Sequence, residues 1–180
     1  MNFNTKYWKE FYKNKERDKE SPFARFCMGF IEKHRTFVDF GCGDGRDTYY
    51  IGQQNFVNGI DNATKNEDTS SVKFIKEDIS KYIDKYKPFQ ITYCRFLFHA
   101  IPEKLMWKIL DWSNIVMAEF RVKGDVPKIY TDHKRREIDP YKLKEDLIKK
   151  GFTIDYFKVG RGMAKYKGED PLICRLICKK

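Results

Sequence analysis

Apolar and β-branched residues recur along the chain in short runs that have the length and composition of buried β-strands. These runs cover residues 36–40, 56–60, 72–76, 89–94, 115–120, 152–159 and 172–178. Between most of them the apolar positions follow a helical spacing instead. The alternation predicts an α/β fold in which a mostly parallel sheet is covered on both faces.

Helix-start and helix-stop residues bound the helical segments. The predicted helices cover residues 22–34, 45–53, 102–113 and 139–150. Ser21 can cap the first helix with Pro22 in its first turn, and Asp139 and Pro140 open the last one. The final two strands, joined by residues 160–171, are predicted to close the sheet as a pair.

Length and charge bound the function classes. The chain has 180 residues, which is enough for one α/β domain with a full core and no second domain. It carries 36 Lys and Arg against 26 Asp and Glu, a formal net charge of +10. Such an excess favours an anionic partner: a phosphorylated small molecule, a nucleic acid or an anionic surface. Because acids are scattered among the lysines, an ordinary solvated surface explains the charge equally well.

Cysteine usage and the amino-terminal residues indicate the compartment. The 5 cysteines form no Cys-x-x-Cys pair and have no histidine at metal-ligand spacing, so we expect a reducing environment and no structural zinc. The first residues lack the apolar core of a signal peptide, and no apolar run has the length of a membrane span. We expect a soluble, cytoplasmic protein.

The most informative stretch is Thr-Phe-Val-Asp-Phe-Gly-Cys-Gly-Asp-Gly-Arg-Asp at residues 36–47, where a strand runs into a glycine-rich turn and then a helix. Gly41, Gly43 and Gly45 let a ligand approach backbone N–H groups near a helix N-terminus. Asp61 ends the next strand about 20 residues later, where a carboxylate binds ribose hydroxyls. An ordinary strand-to-helix turn is the alternative, but the turn and the acid together predict a nucleotide-type cofactor.

The dinucleotide-binding fingerprint requires a glycine at the position where this chain has Arg46. The fingerprint also has no acid at the position where this chain has Asp39. An acid followed by Gly-x-Gly-x-Gly resembles motif I of the class I S-adenosylmethionine-dependent methyltransferases. That resemblance covers nearly the whole chain. It implies a single-domain, Rossmann-like sheet of seven strands in the order 3-2-1-4-5-7-6, with strand seven antiparallel.

The resemblance also implies how S-adenosylmethionine is bound. Asp39 and the turn backbone would hold the methionine moiety, Asp61 the ribose hydroxyls, and the acid-plus-apolar pair after strand three the adenine. Capping of a helix is a second role that Asp78 can combine with this one. With the residues that end strand four, the implied set is Asp39, Gly41, Cys42, Gly43, Asp61, Asn62, Asp78, Ile79, Cys94 and Arg95.

The first 20 residues fall outside the αβ alternation and are predicted to form a lid, residues 1–20, over a methyltransferase domain of residues 21–180. Their aromatic residues look like the lid of small bacterial methyltransferases found with surface-polysaccharide genes, and more distantly of tellurite and thiopurine methyltransferases. Aromatic faces attract a sulfonium, and an arginine can pair with the methionine carboxylate. The residues given these roles are Tyr7, Trp8, Tyr12 and Arg25. An amphipathic helix packed on the core is the alternative.

Residues 94–99 follow strand four, at the sheet edge where ligands of open α/β sheets bind. This chain lacks the Asn/Asp-Pro-Pro-Tyr/Phe motif that methyltransferases of nucleobase or amide nitrogens carry there, which favours an oxygen or another small acceptor. The candidate catalytic residues are His99, His133 and Glu119, with a structural histidine as the alternative. The candidate phosphate-binding residues are Arg121, Arg161 and Lys165, with a solvated loop as the alternative.

The sequence thus predicts methyl transfer from S-adenosylmethionine, with S-adenosylhomocysteine as product, to an anionic small molecule or glycan. A sugar or phosphate oxygen in surface-polysaccharide biosynthesis is the favoured acceptor, and a phosphate oxygen would need no base. The alternatives are a soft inorganic or thiol acceptor, RNA, and a non-catalytic cofactor-binding scaffold. Nucleic acid is disfavoured because the chain has no RNA-binding motif.

Overall fold

Seven strands form one mixed sheet in the computed structural model, which describes Tyr12 and residues 17–63, 66–125, 135–166 and 168–180. The strands are β1 Thr36–Phe40, β2 Phe56–Asp61, β3 Val72–Lys76, β4 Ile91–Arg95, β5 Ile115–Arg121, β6 Thr153–Gly160 and β7 Ile173–Lys179. Their order is β3-β2-β1-β4-β5-β7-β6, and β7 runs antiparallel to both of its neighbours. The implied strand order and the α/β fold are therefore confirmed.

Helices cover both faces of the sheet. Those that the structure describes in full are α1 Pro22–Met28, α2 Arg46–Gly52, α3 Ile79–Lys85, α4 Glu103–Trp112 and α5 Pro140–Lys149, and a 3-10 turn covers Phe98–Ala100. Successive strand residues point to opposite faces, so Phe37 packs in the cluster beneath α1 and α2 while Val38 packs in the cluster beneath α3, α4 and α5. Within the described ranges, no helix has the length and apolar character needed to cross a membrane.

The helix starts follow the predicted capping residues. The Ser21 hydroxyl accepts a hydrogen bond from the Ala24 N–H at 3.0 Å, and Asp139 caps α5 in the same way. The predicted end of the first helix at residue 34 is wrong, because α1 stops at Met28. Gly29 caps it, and the chain then turns back so that the His34 N–H donates to the Gln54 carbonyl at 2.8 Å. Glycine is a poor helix former, and the apolar spacing that continued beyond it had suggested a longer helix.

A buried carboxylate joins α1 to α2. Asp47 accepts hydrogen bonds from the Ser21 N–H at 2.8 Å and the Ser21 hydroxyl at 2.7 Å, and the Tyr93 hydroxyl donates to it at 2.7 Å. The Arg46 Nε lies 3.0 Å from the Oδ1 of the same carboxylate. Burial alone would raise the pKa of Asp47, but Arg46, Arg95 and the Ser21 hydrogen bonds hold it below its usual value. The carboxylate is therefore ionised, and it anchors the start of α1.

Replacing Asp47 with asparagine should lower the free energy of unfolding by about 3 kcal/mol at pH 7, because two arginines lose a buried counter-charge. The folded-state pKa is depressed, so this contribution is present above the unfolded pKa of about 3.9 and is lost as the pH falls through the lower folded value. Urea unfolding at several pH values should show the gap between wild type and Asp47→Asn closing in acid. The matched control, Asp155→Asn, removes a partly exposed carboxylate paired with Lys179 and should cost less than about 1 kcal/mol. Equal effects of the two substitutions would contradict the anchoring role.

Candidate functional site

The glycine turn leaves β1 and enters α2 through three left-handed residues. Gly41, Gly43 and Gly45 have φ angles of +72°, +55° and +76°, a region that costs a side-chain-bearing residue roughly 1–2 kcal/mol. The Gly45 N–H closes the turn by donating to the Cys42 carbonyl at 3.0 Å. The glycines are therefore required by the backbone conformation of the turn.

Close packing around the turn is a second reason for glycine. A Cβ on Gly43 would lie 2.4 Å from the Tyr12 hydroxyl oxygen, and a Cβ on Gly45 would lie 2.7 Å from the Phe74 ring. Tyr12 thus lies directly on the turn. Burial, together with the nearby Asp44 and Asp61 charges, raises the pKa of its phenol well above the usual value. Tyr12 comes from the segment predicted to form the lid, and it contacts the glycine at which a ligand would meet the backbone.

Asp61 ends β2, and each of its oxygens accepts a backbone hydrogen bond, one of them from the turn. Its Oδ2 accepts from the Gly43 N–H at 3.1 Å and its Oδ1 from the Ala63 N–H at 2.6 Å. A carboxylate has about four acceptor positions, so two of them remain for the hydroxyls of a ligand. The carboxylate predicted from its spacing to bind a ribose is thus held against the turn predicted to bind the same ligand.

Asp39 lies on β1, just before the turn, and is only 3% exposed. It accepts a hydrogen bond from the Thr48 hydroxyl at 2.7 Å. Burial raises the pKa of Asp39 to about 8, with Thr48 opposing this shift and the Asp47 and Asp61 charges adding to it. The side chain is therefore mostly protonated at pH 7, and a cation bound beside it would favour its ionised form.

A cleft of about 490 Å³ opens beside Asp61, with Cys42, Phe74 and residues 66–68 among its lining. Asn66 donates to the Gly43 carbonyl at 2.9 Å, and Asp68 accepts from the Phe74 N–H at 2.7 Å. Sequence reasoning missed residues 66–68, because nothing distinguishes this polar stretch from an ordinary loop. Burial, aided by the neighbouring aspartates, raises the pKa of the Cys42 thiol, so the thiol stays protonated.

The remaining implied cofactor residues fall in different environments. Asp78 caps α3 through bonds from the Ser80 and Lys81 N–H groups at 2.9 and 3.3 Å, which confirms the capping role and leaves the adenine contact a prediction.

The Cys94 side chain faces the core beneath α3, α4 and α5. Arg25 is 55% exposed and paired with Glu20. Asn62 directly follows β2 and is exposed. Ile79 is the first residue of α3 and is half-buried. Tyr7 and Trp8 lie outside the described residues.

Glu119 joins two arginines across the sheet. Its two oxygens accept from the Arg95 Nε at 3.0 Å and the Arg175 Nε at 2.8 Å, and the carboxylate is 1% exposed. Burial raises the pKa of Glu119, and the two arginines oppose this shift. Both oxygens are occupied, so a catalytic role for Glu119 stays a prediction that this geometry does not favour. Arg175 was missed, although a single arginine in an otherwise apolar strand is the signal of a buried ion pair.

His99 lies after β4, as predicted, and is buried. Its Nδ1 accepts a hydrogen bond from the Arg121 backbone N–H at 3.2 Å. A neutral imidazole carries its proton on only one nitrogen, so with Nδ1 accepting this bond the proton is assigned to Nε2. Nε2 is then a hydrogen-bond donor and cannot act as a base. Its proposed role as a general base stays a prediction, and it would require this bond to break. His133 lies outside the described residues.

The three predicted phosphate-binding residues are only partly brought together. Asp125 binds Arg121 at 2.8 Å and Arg161 at 3.4 Å, and Arg121 also binds Glu169. Lys165 is exposed. An anion bound by Arg121 and Arg161, here called the clamp around Asp125, would have to compete with carboxylates that already pair with the two arginines. In the part of the chain that the structure describes, no group of three or more His, Cys, Asp or Glu residues is arranged to hold a metal ion.

No protein-family model and no curated protein sequence matches this chain. Its fold, however, matches many solved structures. Magnesium protoporphyrin IX methyltransferase from Synechocystis PCC 6803, with bound S-adenosylmethionine, is 13% identical at a TM-score of 0.62, covering 86% of this chain and 75% of that one. A Burkholderia thailandensis 1,6-didemethyltoxoflavin-N1-methyltransferase, with bound 1,6-didemethyltoxoflavin and S-adenosylhomocysteine, is 14% identical at a TM-score of 0.67, covering 88% of this chain and 76% of that one. The chain has the Rossmann-like fold of these methyltransferases.

Another structure with this fold is the cyclase SpnF, which is 13% identical at a TM-score of 0.68, with 93% of this chain and 84% of that one covered. The fold thus carries more than one kind of chemistry. At these low identities the resemblance shows architecture alone, and the activity has to be argued from the site.

A pair of glycine substitutions tests the packing of the turn. Gly162→Ala places a Cβ at a φ of +81° in open space and should cost about 1 kcal/mol of stability. Gly45→Ala has nearly the same φ but drives the Cβ into Phe74, so it should cost about 3 kcal/mol. Urea unfolding of both variants measures the difference. Equal costs would mean that φ alone, and not the close approach of Phe74, requires glycine at position 45.

Proposed function

We propose that this protein is an S-adenosylmethionine-dependent methyltransferase acting on a small-molecule acceptor. The observation that carries the proposal is the hydrogen bond from the Gly43 N–H to Asp61, which joins the left-handed glycine turn to the carboxylate at the end of β2. A nucleoside ligand needs both parts at once: backbone N–H groups with no side chain in the way, and an acceptor for its ribose hydroxyls. When bound, S-adenosylmethionine supplies an electrophilic methyl group.

Each half of the cofactor has a counterpart among these residues. Asp61 binds the ribose, with Asn62, Asp78 and Ile79 next to the adenine, and Asp39 faces the cationic methionine end. The cleft beside Asp61 supports the nucleoside half of this assignment. The amino-terminal segment acts as a lid, an assignment supported by Tyr12 on Gly43 and by the bond from Arg17 to the Asp44 carbonyl at 2.9 Å.

The acceptor is an anionic molecule, with an oxygen of a sugar or phosphate in surface-polysaccharide synthesis as the favoured case. Its support is the net charge of +10 and the resemblance of the lid to methyltransferases of surface-polysaccharide loci. The donor form of His99 supports an acceptor that is already ionised, since such an oxygen attacks without a general base. The chain's own residues then contribute by positioning the acceptor, which can supply a large part of a rate enhancement.

Binding of S-adenosylhomocysteine, measured by calorimetry with NAD as the negative control, tests the cofactor assignment. Asp61→Ala should weaken binding by about 1–3 kcal/mol through loss of charge-assisted hydrogen bonds to the ribose. Glu67→Ala removes one negative charge from the same cleft without touching the ribose position, so it should change the affinity by less than about 0.5 kcal/mol. Equal losses in both variants, or tight binding of NAD, would contradict the assignment.

Proton release tests the role of Asp39. With a folded-state pKa of about 8, Asp39 is mostly protonated at pH 7, and a bound ammonium or sulfonium lowers that pKa. Binding of S-adenosylmethionine should therefore release close to one proton, seen as a difference in heat between Hepes and Tris buffers. Asp39→Asn and the ligand 5′-methylthioadenosine, which lacks the amino-acid end, should abolish the release. Identical heats for the wild type in both buffers would remove Asp39 from the site.

A further inference from the structure

A row of three charged side chains crosses the carboxyl edge of the sheet on the face covered by α1 and α2. Arg95 on β4 pairs in register with Glu119 on β5, and Glu119 pairs with Arg175 on β7. The Glu119 carboxylate is buried and accepts from the Nε of each arginine, at 3.0 and 2.8 Å. Each arginine is thus held by one edge of its guanidinium, which leaves the two terminal amino groups for other partners.

The two arginines use those amino groups differently. Arg175 donates to the Met163 carbonyl at 2.8 Å and packs over Phe23 and Phe26 with centroid distances of 5.5 and 5.0 Å, so it is enclosed by the fold. The terminal amino groups of Arg95 make no hydrogen bond to any residue that the structure describes. The Arg95 side chain is 15% exposed and lies at the open end of β4. Arg95 therefore presents the two-pronged edge that matches a carboxylate or a phosphate.

A strained backbone residue directly follows Arg95. The next residue, Phe96, has a φ of +54°, which is an outlier for a bulky side chain, and its N–H donates to the Glu119 carbonyl at 2.7 Å. The strained turn brings the Phe96 ring to 4.4 Å from the Arg95 guanidinium. Strained residues persist where the surroundings enforce them, and they cluster at ligand sites. Stacking on the ring restricts the guanidinium before any ligand arrives.

The charges around Arg95 are close to balanced. Arg46, Arg95 and Arg175 are linked through the carboxylates of Asp47 and Glu119, and the Asp44 charge also acts on Arg46. An anion would therefore be attracted by the unused amino groups of Arg95, in a mostly buried setting where attraction is screened less than in water, and not by a large excess of positive charge. Arg95 lies on β4 beside β1, where the connections run to opposite sides of the sheet, which is the crevice that binds ligands in open α/β sheets.

We propose that the terminal amino groups of Arg95 bind the carboxylate or phosphate of the acceptor, so that the acceptor's anion is recognised at the ends of β4 and β5 rather than at the clamp around Asp125. This inference rests on the proposed function, because it names the acceptor class of the same site. It assigns Arg95 to the acceptor instead of the cofactor. It also assigns Glu119 as the positioning residue that orients the guanidinium.

Phosphate-dependent stabilisation tests the proposal without knowledge of the natural acceptor. The melting temperature of the protein, with and without saturating S-adenosylhomocysteine, is followed while sodium phosphate replaces sodium chloride at constant ionic strength. Wild type and the control Arg35→Gln, at the opposite edge of the sheet, should be stabilised by phosphate. Arg95→Gln should lose that stabilisation, and the apparent phosphate affinity of Arg95→Lys should fall at least fivefold. Because Arg95→Lys keeps a positive charge beside Glu119, it also serves if Arg95→Gln fails to fold.

Cofactor titrations separate the two sources of an anion. In support of the proposal, the affinity of Arg95→Lys for S-adenosylhomocysteine should stay within threefold of wild type. A loss of tenfold or more, with 5′-methylthioadenosine binding unchanged, would mean that Arg95 binds the methionine carboxylate, and the proposal would be overturned. Phosphate stabilisation that is absent in wild type, or equal in wild type and Arg95→Gln, would overturn it as well. If wild type binds no S-adenosylhomocysteine, the proposed function fails, whereas the phosphate arm without cofactor still tests Arg95.

Discussion

The Glu119 carboxylate accepts the Nε–H groups of two arginines that come from different strands, and through Arg95 it lies next to Asp47, which holds the start of α1. Such buried charges are tolerated only when each is paired, since removal of one partner leaves an uncompensated charge in a medium that solvates it poorly. The pairing therefore fixes how α1 and α2 lie on the sheet. Because α2 begins at the glycine turn, the same constraint sets the position of the cofactor site relative to the ends of β4 and β5.

Features built from residues close together in the sequence were easier to predict than features built from residues far apart in the sequence. The glycine turn and Asp61 follow a local pattern of spacing, and the structure joins them by a hydrogen bond. The network of Asp47, Arg95 and Glu119 depends instead on strand register between segments far apart in sequence, which residue spacing does not encode. The end of α1 was misjudged for a related reason: the apolar spacing continues beyond Gly29, while the chain must turn there to enter β1.

Location at the sheet edge was easier to predict than chemical role. His99 and Arg121 lie at the expected edge, yet the Arg121 N–H occupies the histidine nitrogen that a base would use. Arg121 and Arg161, two of the predicted phosphate-binding residues, do converge, but they converge on Asp125, a residue that sequence reasoning had not considered. A side chain's role depends on which partners fill its hydrogen-bonding positions, and those partners come from loops whose paths are set by tertiary packing.

The site has two electrostatic halves. Asp39 and Asp61 flank the glycine turn, whereas Arg95 and Arg175 lie on β4 and β7 and share the Glu119 carboxylate. The proposed ligands complement this division, with a cationic cofactor on the acidic half and an anionic acceptor on the basic half. When the methylated oxygen belongs to the bound anion, transfer of a methyl cation removes a positive charge from the first half and a negative charge from the second. Both halves would then hold the products less tightly than the substrates, so the charge pattern that assembles the reactants also favours release of the products.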